Sequence, residues 1–109
     1  MKQFMNSRES LITEAIDGLL RTSAGKLARL DGYPHIRVVV RTDWDRSRVA
    51  LVSGGGSGHE PSHAGFVGQG MLTAAVCGDV FASPSVDAVL AGILAVKGAR
   101  ILCRPSALM

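Results

Sequence analysis

The run Ser53-Gly-Gly-Gly-Ser-Gly-His59, set directly behind the apolar stretch Val49-Ala-Leu-Val52, constrains this chain more than any other feature. A short continuous apolar run reads as a strand buried on both faces. In open α/β sheets ligands bind beyond the carboxyl ends of the strands, which is where these glycines are expected to lie. Glycine takes positive φ at little cost, and without a Cβ it lets backbone N–H groups approach a small polar ligand. Four glycines, two serines and a histidine in seven residues exceed what a tight turn needs. The run is therefore expected to serve a ligand.

Several known chemistries fail on this run letter by letter. A Walker A loop needs glycine five positions after its first, then Lys; counting from Gly54 reaches His59, and the pair Gly65 and Gly70 leads into Met71. The dinucleotide pattern G-x-G-x-x-G also meets His59 where glycine is required. A nucleophile elbow G-x-S-x-G fits Gly55 and Ser57 and fails at the same residue. His59-Glu60-Pro61-Ser62-His63 matches the zinc motif H-E-x-x-H, which works only on a helix. Pro61 lacks the N–H that a helix interior uses and disfavours helical geometry at Glu60. A third ligand would be needed too, and His35 is the only other histidine, so no metal is expected. What remains is proton transfer beside a small polar ligand, with His59 as the candidate general base because imidazole titrates near neutral pH. His63 is the lesser candidate, and Ser57 and Ser62 read as hydrogen-bonding groups rather than nucleophiles.

The flanking sequence reads as alternating helices and strands. Leu11, Ile12, Ala15, Ile16, Leu19 and Leu20 recur every three to four residues, which predicts an amphipathic helix over Asn6 to Ser23. Asn6 with Glu9 resembles a capping box, and Gly25 lies just past the end. Leu30 to Pro34 reads as a turn, Ile36 to Arg41 as a β-branched strand, and Thr42 to Arg48 as polar turn. Met71 to Val76 reads as another buried strand with Gly78 and Asp79 behind it. Ser83 and Pro84 are expected to open a second helix, as cap and first-turn residue. Its apolar face would comprise Val86, Val89, Leu90, Ile93 and Leu94. Gly98 could end this helix, and Arg100 to Cys103 is a weak strand. The pattern implies an α/β fold with a mostly parallel sheet and flanking helices.

Composition narrows the class further. Charged residues make up 19% and hydrophobic ones 47%, the balance of a globular domain. A formal charge of +3 is carried by scattered arginines, with no basic stripe of the kind nucleic-acid surfaces show, so no nucleic acid is expected as partner. Cys77 and Cys103 lack C-x-x-C spacing and read as buried thiols. No apolar run approaches the roughly 18 residues needed to span a membrane. Neither a membrane partner nor a signal peptide is expected, which leaves the cytoplasm as the expected location.

Three segments together are recognisable. Ser53-Gly-Gly-Gly-Ser-Gly-His-Glu-Pro61, His63-Ala-Gly-Phe-Val-Gly-Gln-Gly-Met71 and Gly78-Asp-Val-Phe-Ala-Ser-Pro84 resemble the dihydroxyacetone (glycerone) kinase family, in the N-terminal part of its substrate-binding subunit or domain. The resemblance runs from the first helix to about Val96. It implies phosphorylation of dihydroxyacetone to its phosphate, with Gly56, Ser57, Gly58 and His59 as substrate contacts and His59 assisting proton transfer from the hydroxyl. It also implies a phosphoryl donor bound elsewhere: ATP on a nucleotide-binding kinase domain, or a phosphorylated partner subunit of the phosphotransferase system. No cofactor is expected on this chain itself, and the full-length family implies a homo-oligomer.

After Val96 the sequence departs from the family, where an apolar strand should lead into Lys-Asn-Tyr-Thr-Gly-Asp. The expectation is that residues 1–96 are an incomplete portion of a larger substrate-binding domain and 97–109 a tail left by truncation or frameshift. Two further functions stay open: a non-catalytic remnant or interaction module of a kinase complex, and a generic anion-binding module supported by the loop glycines alone.

Overall fold

The computed structural model describes residues 6–7, 10–32, 36–57, 63–80, 82–98 and 101–105, with the backbone alone at 31 and 101–105. In chain order the elements are α1 (Leu11–Arg21), β1 (Leu27–Gly32), β2 (Ile36–Arg41), β3 (Ala50–Ser57), a 3-10 turn (Ala64–Phe66), β4 (Ala74–Val80), α2 (Val86–Val96) and β5 (Ile101–Pro105). The five strands form one sheet in the order β1-β2-β4-β3-β5. Among the described residues no helix is long and apolar enough to cross a membrane.

The sheet is mixed, which corrects the expectation of a mostly parallel one. β3 runs parallel to β4 and β5, whereas β2 is antiparallel to β1 and to β4. The cause lies in Leu27–Gly32, expected in part as a turn and found as a strand. Gly32 stands opposite Ile36, so only three residues join β1 to β2, and a connection that short can only return the chain antiparallel. β3 and β4 are instead joined by the long segment around the 3-10 turn, as a parallel pair requires.

Side chains alternate across the sheet and feed two cores. Val39, Ala75 and Cys77 face Ile12 and Ile16 of α1 together with Ala64 and Val67. Val38, Ala50, Val52, Ala74 and Val76 face Ala88 and Val96 of α2. The result is three layers, α1 and the 3-10 turn on one face and α2 on the other.

Both helices depart from the sequence reading at their caps. α1 begins after Ser10, whose hydroxyl pairs with that of Ser7 at 2.6 Å. Asn6 donates from Nδ2 to both carboxylate oxygens of Glu14, at 3.0 and 3.1 Å, instead of capping the helix; Glu9 of the expected capping box lies outside the described residues. α2 is capped by Ser85, not Ser83, with its hydroxyl accepting from the Ala88 N–H at 3.1 Å.

α2 is also rotated relative to expectation. Its sheet-facing side is the small one, Ala88, Gly92 and Val96, while Val86, Leu90 and Leu94 are 83%, 51% and 51% exposed. A Cβ on Gly92 would stand 2.6 Å from Val76 Cγ2, so it is the missing side chain that lets the helix sit so close to the sheet. At its far end the β2–β3 connection grips α2. The Trp44 indole N–H donates to the Val96 carbonyl at 3.1 Å, and Arg46 donates to the carbonyls of Ala95 and Lys97, both at 3.0 Å. These contacts take up carbonyls that a helix end leaves without partners.

Candidate functional site

The glycine run does not begin where the strand ends. β3 continues through Ser53, Gly54, Gly55 and Gly56 to Ser57, and β4 likewise takes in Gly78 and Asp79, expected behind it. Among the described residues the positive-φ glycines are Gly25 and Gly70, so Gly54 to Gly56 are not used for backbone reversal. They are used for close approach. A Cβ on Gly55 would stand 2.6 Å from His63 Nε2, and one on Gly56 would stand 3.1 Å from the Ala82 backbone nitrogen.

These approaches pack the carboxyl end of β3 closely against the residues that follow β3 and β4. Gly56 lies against the turn after β4, which is closed by the Ala82 N–H donating to the Asp79 carbonyl at 3.0 Å. The pairing register shifts between Gly55 and Ser57, which interrupts the regular ladder there. Ser57 is buried and its hydroxyl donates to the Gly78 carbonyl at 2.9 Å. Its proton is thereby committed. Gly58 and His59, the other residues singled out from the sequence, lie outside the described residues, as do Glu60, Pro61 and Ser62.

Topology puts these strand ends at a switch point of the sheet. From β3 the chain crosses on the α1 face to β4, and from β4 it crosses on the α2 face back past β3 to β5. Neighbouring parallel strands whose connections leave on opposite faces open a crevice at their carboxyl ends, the customary ligand position in such sheets.

Sequence reasoning ranked His63 low and missed its place. Its backbone is at φ 53, ψ −72, far from helical geometry, so the H-E-x-x-H letters do not sit on a helix at this end. Its ring folds under β3, with Nδ1 3.5 Å from Ser53 Oγ, and its buried Nε2 has no hydrogen-bond partner among the described residues. No periodicity or spacing signals this contact, which joins residues ten apart through a chain reversal. Among the described residues no group of three or more His, Cys, Asp and Glu could hold a metal ion.

A separate cleft of about 360 Å³ lies between the end of α1 and residues 65–69, lined by Thr22, Lys26, Arg41, Asp43 and Gln69 among others. The Arg41 guanidinium, hydrogen-bonded to Asp43 at 2.8 Å, holds that carboxyl below its ordinary range. Arg41 and Asp43 in the cleft are thus paired with each other, and none of the residues that line it belongs to the glycine strand.

Comparison with known proteins decides the family. The Dak1 domain matches residues 17–104. The chain belongs to the Dak1 domain family. It is similar to the dihydroxyacetone kinase of Citrobacter freundii, 62% identical over 96 residues that make up 87% of this chain and 17% of that protein. It is 48% identical over 103 residues to the dihydroxyacetone-binding subunit of a PTS-dependent dihydroxyacetone kinase from Listeria innocua, covering 94% of this chain and 30% of that subunit. The solved structure of the C. freundii kinase in complex with AMP-PNP and Mg2+ superposes with a TM-score of 0.87 at 58% identity, over 94% of this chain and 19% of the kinase. The chain therefore spans between a sixth and a third of the length of these relatives, and the Dak1 fold in it is an α/β fold with a mixed sheet.

Proposed function

We propose that this chain supplies the dihydroxyacetone-holding part of a glycerone kinase. Dihydroxyacetone lies against Gly56, Ser57 and Gly58, with one hydroxyl facing His59. His59 takes the proton of that hydroxyl as its oxygen forms a bond to the transferred phosphorus and the donor's own bond to that phosphorus breaks, giving dihydroxyacetone phosphate. A base positioned at the attacking oxygen is the group such a step needs from the substrate side. The donor, ATP or a phosphorylated partner subunit, is held by other parts of the enzyme. In this reading the chain acts in the cytoplasm as part of a homo-oligomer.

The observation that supports the reading is the glycine-bearing strand Ala50–Ser57, whose carboxyl end lies at the switch point of the sheet, in a chain similar to dihydroxyacetone kinases. A small ketone with two hydroxyls matches a site built from backbone donors and one titrating ring. The test is a coupled assay of the 109-residue chain with dihydroxyacetone, ATP and candidate donor subunits. Turnover abolished by His59→Ala supports the reading.

One observation favours a second reading, a non-catalytic interaction module of a kinase complex. α2 presents Val86, Leu90 and Leu94 to solvent beside an apolar groove of about 350 Å³, a surface that soluble chains seldom leave bare. Complex formation with kinase subunits in the absence of any turnover would select it.

A further inference from the structure

The cleft of about 360 Å³ between the end of α1 and residues 65–69 has no part in the function proposed above, and its charges do not balance. The charged residues that line it are Lys26, Arg41 and Asp43, two cations against one anion. Asp43 accepts from Arg41 Nε at 2.8 Å, and this bond lowers the pKa of its carboxyl, so its charge persists at neutral pH. One positive charge is left over.

Arg41 has donors to offer as well as charge. Its Nε–H goes to Asp43, whereas its two terminal nitrogens make no hydrogen bond to any described residue. The side chain is nevertheless only 13% exposed, with its guanidinium carbon 5.9 Å from the centre of the Trp44 ring. A guanidinium held at one edge by a carboxylate and over an aromatic ring has little freedom left to lose on binding. Its open end suits the two oxygens of a planar anion.

The walls of the cleft are tied together. Leu27 of β1 pairs with Arg41 of β2. The Thr42 N–H donates to the Lys26 carbonyl at 3.0 Å, and the Thr42 hydroxyl to the Gly25 carbonyl at 2.8 Å. Lys26 is thereby held beside Arg41, close enough to lower the Asp43 pKa too. The end of α1 would ordinarily repel an anion through its bare carbonyls. Here the hydroxyls of Thr22 and Ser23 donate to the carbonyls of Leu19 and Leu20 at 2.9 and 2.7 Å. Leu19, Leu27 and Val67 add apolar lining.

We propose that this cleft binds a small organic carboxylate, its two oxygens on the terminal nitrogens of Arg41, its charge offset by Lys26, and its short hydrocarbon part against Leu19, Leu27 and Val67. A single negative charge matches the excess, whereas a phosphate dianion would overshoot it beside the Asp43 carboxylate. The site stands apart from the glycine strand and does not rest on His59 or on dihydroxyacetone.

The test is a titration of the whole 109-residue chain with butyrate, followed in 15N–1H spectra. The amides of Lys26, Arg41 and Gly68 should shift saturably. Butyramide has the same shape without the charge and should leave them in place, as should inorganic phosphate. Arg41→Gln should weaken butyrate about tenfold or more, and Lys26→Gln, at an exposed position, about threefold. No saturable shift with butyrate, an equal response to butyramide, tighter binding of phosphate, or undiminished affinity in Arg41→Gln overturns the proposal. Should Arg41→Gln not fold, Lys26→Gln and the butyramide comparison decide.

Discussion

The hydroxyl of Ser57 donates to the carbonyl oxygen of Gly78 at 2.9 Å across the buried ends of β3 and β4. This one bond spans the register shift between Gly55 and Ser57, where the regular ladder cannot hold the strands together. Ser57→Ala leaves a buried carbonyl without that partner and should cost about 1–3 kcal/mol. Urea denaturation checks it, with a lowered midpoint and an unchanged slope expected.

Gly55 and His63 compete for the same space, so their substitutions should be coupled. Gly55→Ala pushes a Cβ into the imidazole and should destabilise the parent by about 1–3 kcal/mol. In a His63→Gly background the ring is gone, and Gly55→Ala should cost less than about 0.5 kcal/mol. A double-mutant cycle from denaturation curves measures the difference, and additive losses would show that the two do not touch.

α2 should respond to substitution in the reverse of its hydropathy. Leu90→Lys and Leu94→Glu alter the exposed side and should stay within about 0.5 kcal/mol of the parent. Gly92→Ala adds one methyl against Val76 and should cost about 1–3 kcal/mol. Thermal melts of the three variants give the comparison directly.

The β2–β3 connection should prove to be the clamp on α2. Trp44→Phe keeps the ring and removes the N–H donated to Val96, a change expected to cost about 0.5–1.5 kcal/mol. Arg46→Ala frees the carbonyls of Ala95 and Lys97. In both variants, hydrogen exchange should quicken first in the last turn of α2, before the sheet is affected.

These elements show what could be read from the chain and what could not. The strand at Ile36–Arg41 and the two helices were legible, because local composition and period determine them. The antiparallel half of the sheet was not, because Leu27–Gly32 carries a weak strand signal and becomes a strand by pairing with β2. The inner face of α2 was misread because the helix is apolar on all sides, and what decides its rotation is the space that Gly92 leaves against Val76. Extending β3 through its glycines likewise depends on neighbours at His63 and Ala82, and no window of sequence contains them. Gly56 and Ser57 were singled out in the sequence by the composition of the run they stand in. The contact that ties His63 to Ser53 and Gly55 required coordinates.

Calorimetric titration of the 109-residue chain with dihydroxyacetone, with inorganic phosphate as the control, tests the central claim most directly. Dihydroxyacetone should bind and phosphate should not, and His59→Ala should weaken the dihydroxyacetone isotherm about tenfold or more, roughly 1.4 kcal/mol. Binding of phosphate without dihydroxyacetone, or an isotherm indifferent to His59, would contradict the account.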